Sequence, residues 1–169
     1  MVLELYNEAS IRQIYEYRSM PEIYSAYCLQ PKSEDELRQY LKSCIHDNES
    51  TSYQITIIKT EDKVIGEIAL KRWGKDKKVG EIGFAINPRF QRKGYAFSAL
   101  KQFIETKLIS EGMIRIQACI NPDNTSSKNL LMKLGFKRDG ILRDVEYNEE
   151  KDMWENEEIY SVIRKDVVS

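Results

Sequence analysis

A chain of 169 residues has room for one domain built on one main core, and its 41% hydrophobic and 31% charged residues are those of an ordinary globular protein. The formal net charge is -1, with both signs interspersed, which leaves neither a basic stripe for nucleic acid nor a polybasic segment for a membrane. No apolar run is long enough to span a bilayer, and Met1–Tyr6 lacks the basic start and apolar core of a signal peptide, so a cytoplasmic protein is expected.

From the N-terminus, apolar residues recur at helical spacing between Ala9 and Met20, with Ser10 placed to cap the helix and Pro21 to end or kink it. Ser33-Glu34-Asp35-Glu36 reads as a capping box that opens a second helix, with Leu37, Tyr40, Leu41 and Cys44 on one face. The period then changes to two. Tyr53, Ile55 and Ile57 alternate with polar residues, and Val64 to Leu70 returns after the turn Glu61-Asp62-Lys63, which predicts a hairpin. Trp73 to Lys78 is a charged loop, and Val79 to Ile86 is a third strand. Its Ile82, Phe84 and Ile86 share one face; Glu81, Gly83 and Ala85 share the other. Pro88 closes that strand, a helix follows from Ala96 to Leu108, and Gly112 ends it. Ile114, Ile116, Ala118 and Ile120 alternate as another strand. A turn at Asn121–Asn124 leads to a short helix carrying Leu130, Leu131 and Leu134, with Gly135 as its C-cap residue. Ile141 to Ile163 reads as two more strands joined by the charged stretch Asn148 to Asp152. The order predicts an α/β or α+β domain.

Cys28, Cys44 and Cys119 are widely spaced and odd in number, form no metal-ligand pattern, and read as reduced thiols. The single His46 excludes a histidine-rich metal site and reads as a surface residue, so no metal is expected.

The most informative segment is Glu81 to Glu105. A strand ends at Asn87-Pro88, passes through Gln91-Arg92-Lys93-Gly94-Tyr95-Ala96 and opens directly into an amphipathic helix. A helix N-terminus presents unpaired backbone N–H groups and a partial positive charge, which suits a phosphate or pyrophosphate. Gly94 lets the backbone approach such a ligand, Ala96 keeps the first turn small, and Arg92 and Lys93 add charge. The alternative is an ordinary strand-to-helix turn with surface cations. Neither GxxxxGK[ST] nor GxGxxG is present.

Gln91-Arg92-Lys93-Gly94-Tyr95-Ala96 is similar to the Q/R-x-x-G-x-G/A signature of the Gcn5-related N-acetyltransferases, and Glu81–Pro88 looks like the strand that leads into it. Asn121, Asn124, Ser127, Leu131, Lys133, Leu134, Gly135 and Phe136 resemble the family's N-x-x-S…L-x-K-L-G-F block, and Tyr160–Asp166 resembles the last strand of its ribosomal-protein-acetylating (Rim-type) branch. The resemblance implies one N-acetyltransferase domain over 1–169, with a mixed, largely antiparallel central sheet flanked by helices. A splay between the fourth and fifth strands would admit the pantetheine arm of acetyl-CoA. It further implies cofactor contacts from Ile86, Gln91, Arg92, Lys93, Gly94, Tyr95, Ala96, Asn121, Asn124 and Ser127. The chain departs from many branch members in having Arg92 where they have glycine.

The family reaction is direct attack of a neutral amine on the thioester, which needs a donor to the thioester oxygen, a route for the amine proton and an acid for the leaving thiolate. A backbone N–H at the end of the Val79–Ile86 strand is the expected oxygen donor. Glu81 is the first candidate for binding or deprotonating the amine, against a solvated carboxylate on an exposed sheet face; Glu67 is the second, against a surface strand residue. Asn124 stands as a contact to the cofactor or an ordered water, or as a turn and cap residue beside Asn121. Ser127 stands as the hydroxyl donor or as a simple helix-start residue. An acyl-enzyme through Cys119 lacks an activating base. Tyr15, Tyr24, Tyr27 and Tyr40 line the acceptor site or pack as core and rim. The expected acceptor is a primary amine, a protein N-terminus by branch likeness, with polyamines, antibiotics and a homodimer left open. A non-catalytic acyl-CoA-binding regulatory domain is the rival reading.

Overall fold

The computed structural model describes residues 1–24, 31–45, 51–148 and 151–168. Tyr27, Cys28, His46 and the side chain of Tyr24 lie outside the described residues. Seven strands form one sheet: β1 (Val2–Leu5), β2 (Thr51–Thr60), β3 (Lys63–Trp73), β4 (Val79–Ile86), β5 (Arg115–Ile120), β6 (Lys137–Asn148) and β7 (Met153–Ile163). Their order is β1-β2-β3-β4-β5-β7-β6. Every neighbouring pair is antiparallel except β4–β5, which is parallel.

Helices cover both faces. On one face α1 (Ile11–Arg18) and α3 (Glu34–Ile45), joined through α2 (Pro21–Tyr24), bury Ile14, Tyr17, Leu37 and Leu41 against Ile55, Ile57 and Ala85. On the other, α4 (Tyr95–Glu105) lays Ala99, Leu100, Phe103 and Ile104 on Ile68, Leu70, Ile82 and Ile86, and α5 (Thr125–Lys133) adds Leu131. Burying each of these large side chains contributes about 2 kcal/mol, so the apolar stripe of α4 fixes where its N-terminus sits. After Glu105 the chain continues as a π turn, Thr106–Ser110, and Gly112 turns it into β5 with φ of 70°. The last element is α6 (Arg164–Val168). Among the described residues no helix is long and apolar enough to cross a membrane.

The mixed sheet with flanking helices agrees with the expected architecture, and several local expectations are corrected. An edge strand, β1, pairs with β2 through Leu3 and Ile58 and escaped notice because it is only four residues long. Ser10 occupies the cap position of α1, but its hydroxyl donates to Asn7 Oδ1, because a 3₁₀ turn over Glu8–Ser10 already winds into the helix. Pro21 begins α2, where its missing N–H costs nothing. In the capping box, Ser33 Oγ accepts from the Glu36 N–H at 3.1 Å, while the Glu36 carboxylate turns to the Lys32 N–H. Ile114 precedes β5 and is exposed, and β6 starts four residues before Ile141.

Candidate functional site

The site grows from the end of β4. Its pairing with β5 covers only Val79↔Arg115, Gly80↔Ile116 and Glu81↔Gln117, so the two parallel strands part beyond Glu81. On the opposite edge, β4 stays paired to β3 as far as Gly66↔Ile86, and the Asn87 N–H bonds Ile65 O at 2.9 Å. That bond sets the phase of the ladder: Glu81, Gly83, Ala85 and Asn87 direct their backbone groups to β3, whereas Ile82, Phe84 and Ile86 direct theirs toward the gap. The Ile86 carbonyl is taken by the Gln91 side-chain amide at 2.9 Å. The Phe84 and Ile86 N–H groups therefore face the fork.

The same strand end feeds the turn before α4. Asn87 Oδ1 accepts from the Arg89 N–H, a 3₁₀ turn covers Pro88–Phe90, and Gly94 caps α4 with φ of 83°. The first turn closes with Ser98 N–H to Gly94 O, so the N–H groups of Tyr95, Ala96 and Phe97 have no intrahelical acceptor. A Cβ built on Gly94 meets nothing within 4 Å, so the turn itself borders open space. Arg89, Arg92 and Lys93 are exposed around it, with the Lys93 ammonium 5.4 Å from the centre of the Phe90 ring. Open space, free amides and cations fit a pyrophosphate, and a neighbouring strand edge with free amides fits an extended amide-bearing arm. Arg92 has φ of 59°, a region that glycine enters at no cost; this is the physical reason a glycine suits that position. Gln91 braces the turn through Ile86 O, and Tyr95 packs toward the Phe90 ring, their centroids 6.5 Å apart.

On the odd-numbered face, Glu81 is half-buried at the apex of the fork. Its Oε2 accepts from Gln117 Nε2 at 2.9 Å and from Cys119 Sγ at 3.3 Å. Burial, reinforced by Glu81, pushes the Cys119 thiol up to about 12, which keeps it protonated and unfit as a nucleophile. Glu157 on β7 is raised above the usual carboxylate range by burial, then by Glu146 and Glu81.

Glu67 is placed apart from this cluster. It lies opposite Ala85 on β3, fully buried under α1, with its Oε1 2.6 Å from Arg18 Nε. It is therefore a buried ion-pair partner instead of the surface residue weighed as its alternative. Burial, with Tyr40 next, raises the nearby Tyr53 hydroxyl. Tyr40 is half-buried against the α1–α3 core, and the Tyr15 hydroxyl donates to Lys32 O.

Asn124 Oδ1 accepts from the Ser127 N–H at 3.1 Å and caps α5; Asn121 accepts from the Asp123 N–H and donates to Glu155. Ser127 is half-buried in the first turn of α5. Sequence reasoning missed Arg115, Gln117 and Glu157. The signal for the first two was present: Arg115, Gln117 and Cys119 alternate on the second face of a strand whose first face is apolar.

Residues 1–137 match the family described as acetyltransferase (GNAT) domain. An uncharacterized N-acetyltransferase, p20, of Bacillus licheniformis is 34% identical over 90 residues, 53% of this chain and 51% of the relative. The [ribosomal protein uS5]-alanine N-acetyltransferase of Escherichia coli (strain K12) is 35% identical over 63 residues, 37% of this chain and 32% of the relative. In such alignments the chain spans between about a third and two thirds of the length of the curated relatives it matches. The crystal structure of spermidine N-acetyltransferase from Vibrio cholerae in complex with CoA and spermine superposes with a TM-score of 0.82 at 18% identity, over 99% of this chain and 98% of that one, which shows a shared fold.

Proposed function

The chain belongs to the acetyltransferase (GNAT) domain family, and on that footing we propose that it moves an acetyl group from acetyl-CoA to a primary amine. The observation that carries this reading is the fork itself: β4 leaves β5 at Glu81 and then delivers, without a break, the left-handed Gly94 turn and the free amides of α4. Acetyl-CoA, when bound, supplies the activated acyl group. The Tyr95–Phe97 amides, with Arg92 and Lys93, would hold its pyrophosphate, and the β4 edge would hold its arm.

The remaining work falls to this chain's own side chains and backbone. The Phe84 or Ile86 N–H donates to the carbonyl oxygen where negative charge develops. Glu81 holds the acceptor amine through its carboxylate and takes its proton, directly or through one water. Ser127, at the start of α5, is the hydroxyl donor to the departing sulfur. Asn124 sets the position of Ser127 by capping its helix.

The acceptor follows from two separate supports. Relatives that act on ribosomal proteins favour a protein N-terminal amine. A polyamine is the second reading, favoured by Glu81 and Glu157 on one face with no cation paired to either among the described residues. The deciding experiment is calorimetric titration with acetyl-CoA, followed by thiol release with peptides bearing free N-termini, with spermidine and with spermine. Amine-dependent release is expected. Binding without release for any amine would favour a non-catalytic acyl-CoA-binding domain, and absence of binding would sink the proposal at its base.

A further inference from the structure

Glu81 does not stand alone. Its Oε2 is claimed by Gln117 Nε2 at 2.9 Å and by the Cys119 thiol at 3.3 Å. Gln117 is itself held from the other side: its Oε1 accepts from Arg115 Nη2 at 3.3 Å. Because a guanidinium only donates, that contact fixes which end of the Gln117 amide faces Arg115 and turns the NH₂ end to Glu81. Arg115 is anchored in turn across two strands, donating to Asp139 Oδ2 at 2.6 Å on β6 and to Ser161 Oγ at 2.8 Å on β7. The Ser161 hydroxyl donates onward to the same Asp139 oxygen at 2.6 Å. Donors and acceptors alternate along the whole path from Asp139 to Glu81.

We propose that Gln117 and Cys119 are positioning residues for Glu81, with Arg115 orienting the Gln117 amide, so that Oε2 is occupied and Oε1 alone meets the acceptor amine. The inference rests on the reading of Glu81 as the group that receives the amine. Its physical basis is geometric. Glu81 is the last residue of β4 that pairs with β5, so Gln117 lies directly beside it and Cys119 one pleat further on, where the strands part. Lys71 is the cross-strand neighbour on β3, and Glu157 on β7 is a carboxylate close enough to repel Glu81; no bond links either to Glu81. Without the two donors from β5 the carboxylate can rotate about its own stem, and both oxygens become equivalent. A charge-assisted hydrogen bond holds that rotation better than a neutral one.

The test is steady-state kinetics of the full chain with acetyl-CoA and its best amine. Gln117→Leu should lower kcat about tenfold and leave the KM for acetyl-CoA unchanged. Cys119→Val should lower kcat severalfold, and Cys119→Ser, which keeps a donor at that place, should restore it. In a Glu81→Gln background, Gln117→Leu should have no further effect on kcat, because a residue that acts through Glu81 has nothing left to position. Equal kcat in folded Gln117→Leu and Cys119→Val would overturn the proposal while leaving Glu81 in place. An additive loss in the Glu81→Gln background would also overturn it, by giving Gln117 a role of its own. Full turnover in Glu81→Gln by itself would remove the underlying reading and the proposal together. Should Gln117→Leu fail to fold, the Cys119 pair decides alone.

Discussion

Replacing Gly94 by glutamate separates folding from ligand binding at the turn before α4. The glycine has φ of 83°, so any other residue there costs about 1 kcal/mol of left-handed strain. No atom lies within 4 Å of a Cβ at that position, so no clash adds to it. For a chain of this size the strain lowers Tm by about 3 °C. The new carboxylate, however, reaches into the space before the Tyr95–Phe97 amides, where a pyrophosphate is expected. At about 5 Å and an effective dielectric near 20, each unit of phosphate charge is repelled by about 3 kcal/mol, or more than a hundredfold in Kd. Gly94→Ala carries the same strain without the charge and should weaken binding about tenfold at most. Calorimetry with acetyl-CoA, beside thermal unfolding of each variant, reads both quantities. A folded Gly94→Glu protein with wild-type affinity would refute the assignment of this turn.

Three further outcomes follow from the buried and titrating groups. Glu67→Gln removes the buried carboxylate charge that faces the Arg18 guanidinium in the α1–β3 interface, and should cost about 3 kcal/mol, measured by urea unfolding; the double variant Arg18→Met/Glu67→Leu should recover most of that loss. Cys119, pushed up to about 12 by burial and Glu81, should react with iodoacetamide at pH 8 about a thousand times more slowly than an ordinary free thiol, as followed by peptide mass spectrometry; labelling at the rate of the unfolded chain would contradict it. Glu157, raised by burial, Glu146 and Glu81, destabilises the fold as pH rises through its folded value and contributes nothing below the unfolded one. Glu157→Gln should therefore raise Tm at pH 7.5 and leave it unchanged near pH 3, and a gain of equal size at both would show that packing, not charge, is responsible.

The parts of this molecule that were legible in its sequence are those whose signal is local. The strand into Asn87, the Gly94 turn and the stripe Ala99, Leu100, Phe103, Ile104 lie within one short segment, and their periods and breakers announce them without reference to the rest of the chain. Glu67 carries no such signal. Its partner Arg18 is 49 positions away on α1, and a carboxylate after a glycine in an alternating strand looks the same whether it meets water or a guanidinium. β6 is an edge strand exposed along nearly all its length, so its start at Lys137, Arg138 and Asp139 carries no apolar alternation. Arg115 and Gln117 are hidden for the opposite reason: the apolar face of β5 alternates so strongly that it fixes the strand without its polar face. Arg92 stands where a glycine pattern is expected, and its φ of 59° gives that expectation a backbone cause.

One strand joins the two halves of the proposed chemistry, and the pleat is what makes that economical. Alternate side chains of β4 point to opposite faces, so Ile82 and Ile86 lock α4 in place while Glu81 stands on the other face, beside Gln117. The backbone of the same residues runs in the plane between them, where Phe84 and Ile86 turn their N–H groups to the fork. The arrangement depends on β3 lying close to the end of β4. A Cβ on Gly66 would overlap the Ala85 carbonyl oxygen and come within 2.7 Å of Ile86 Cδ1, so a side chain there would push on the strand end that carries those amides. Glycine at 66 thus serves the fork without touching it. The amide donors, the Gly94 turn and the Glu81 carboxylate are set by three perpendicular features of one short strand, its plane, its end and its odd-numbered face, and a shift of register by one residue would exchange the faces and lose all three relations at once.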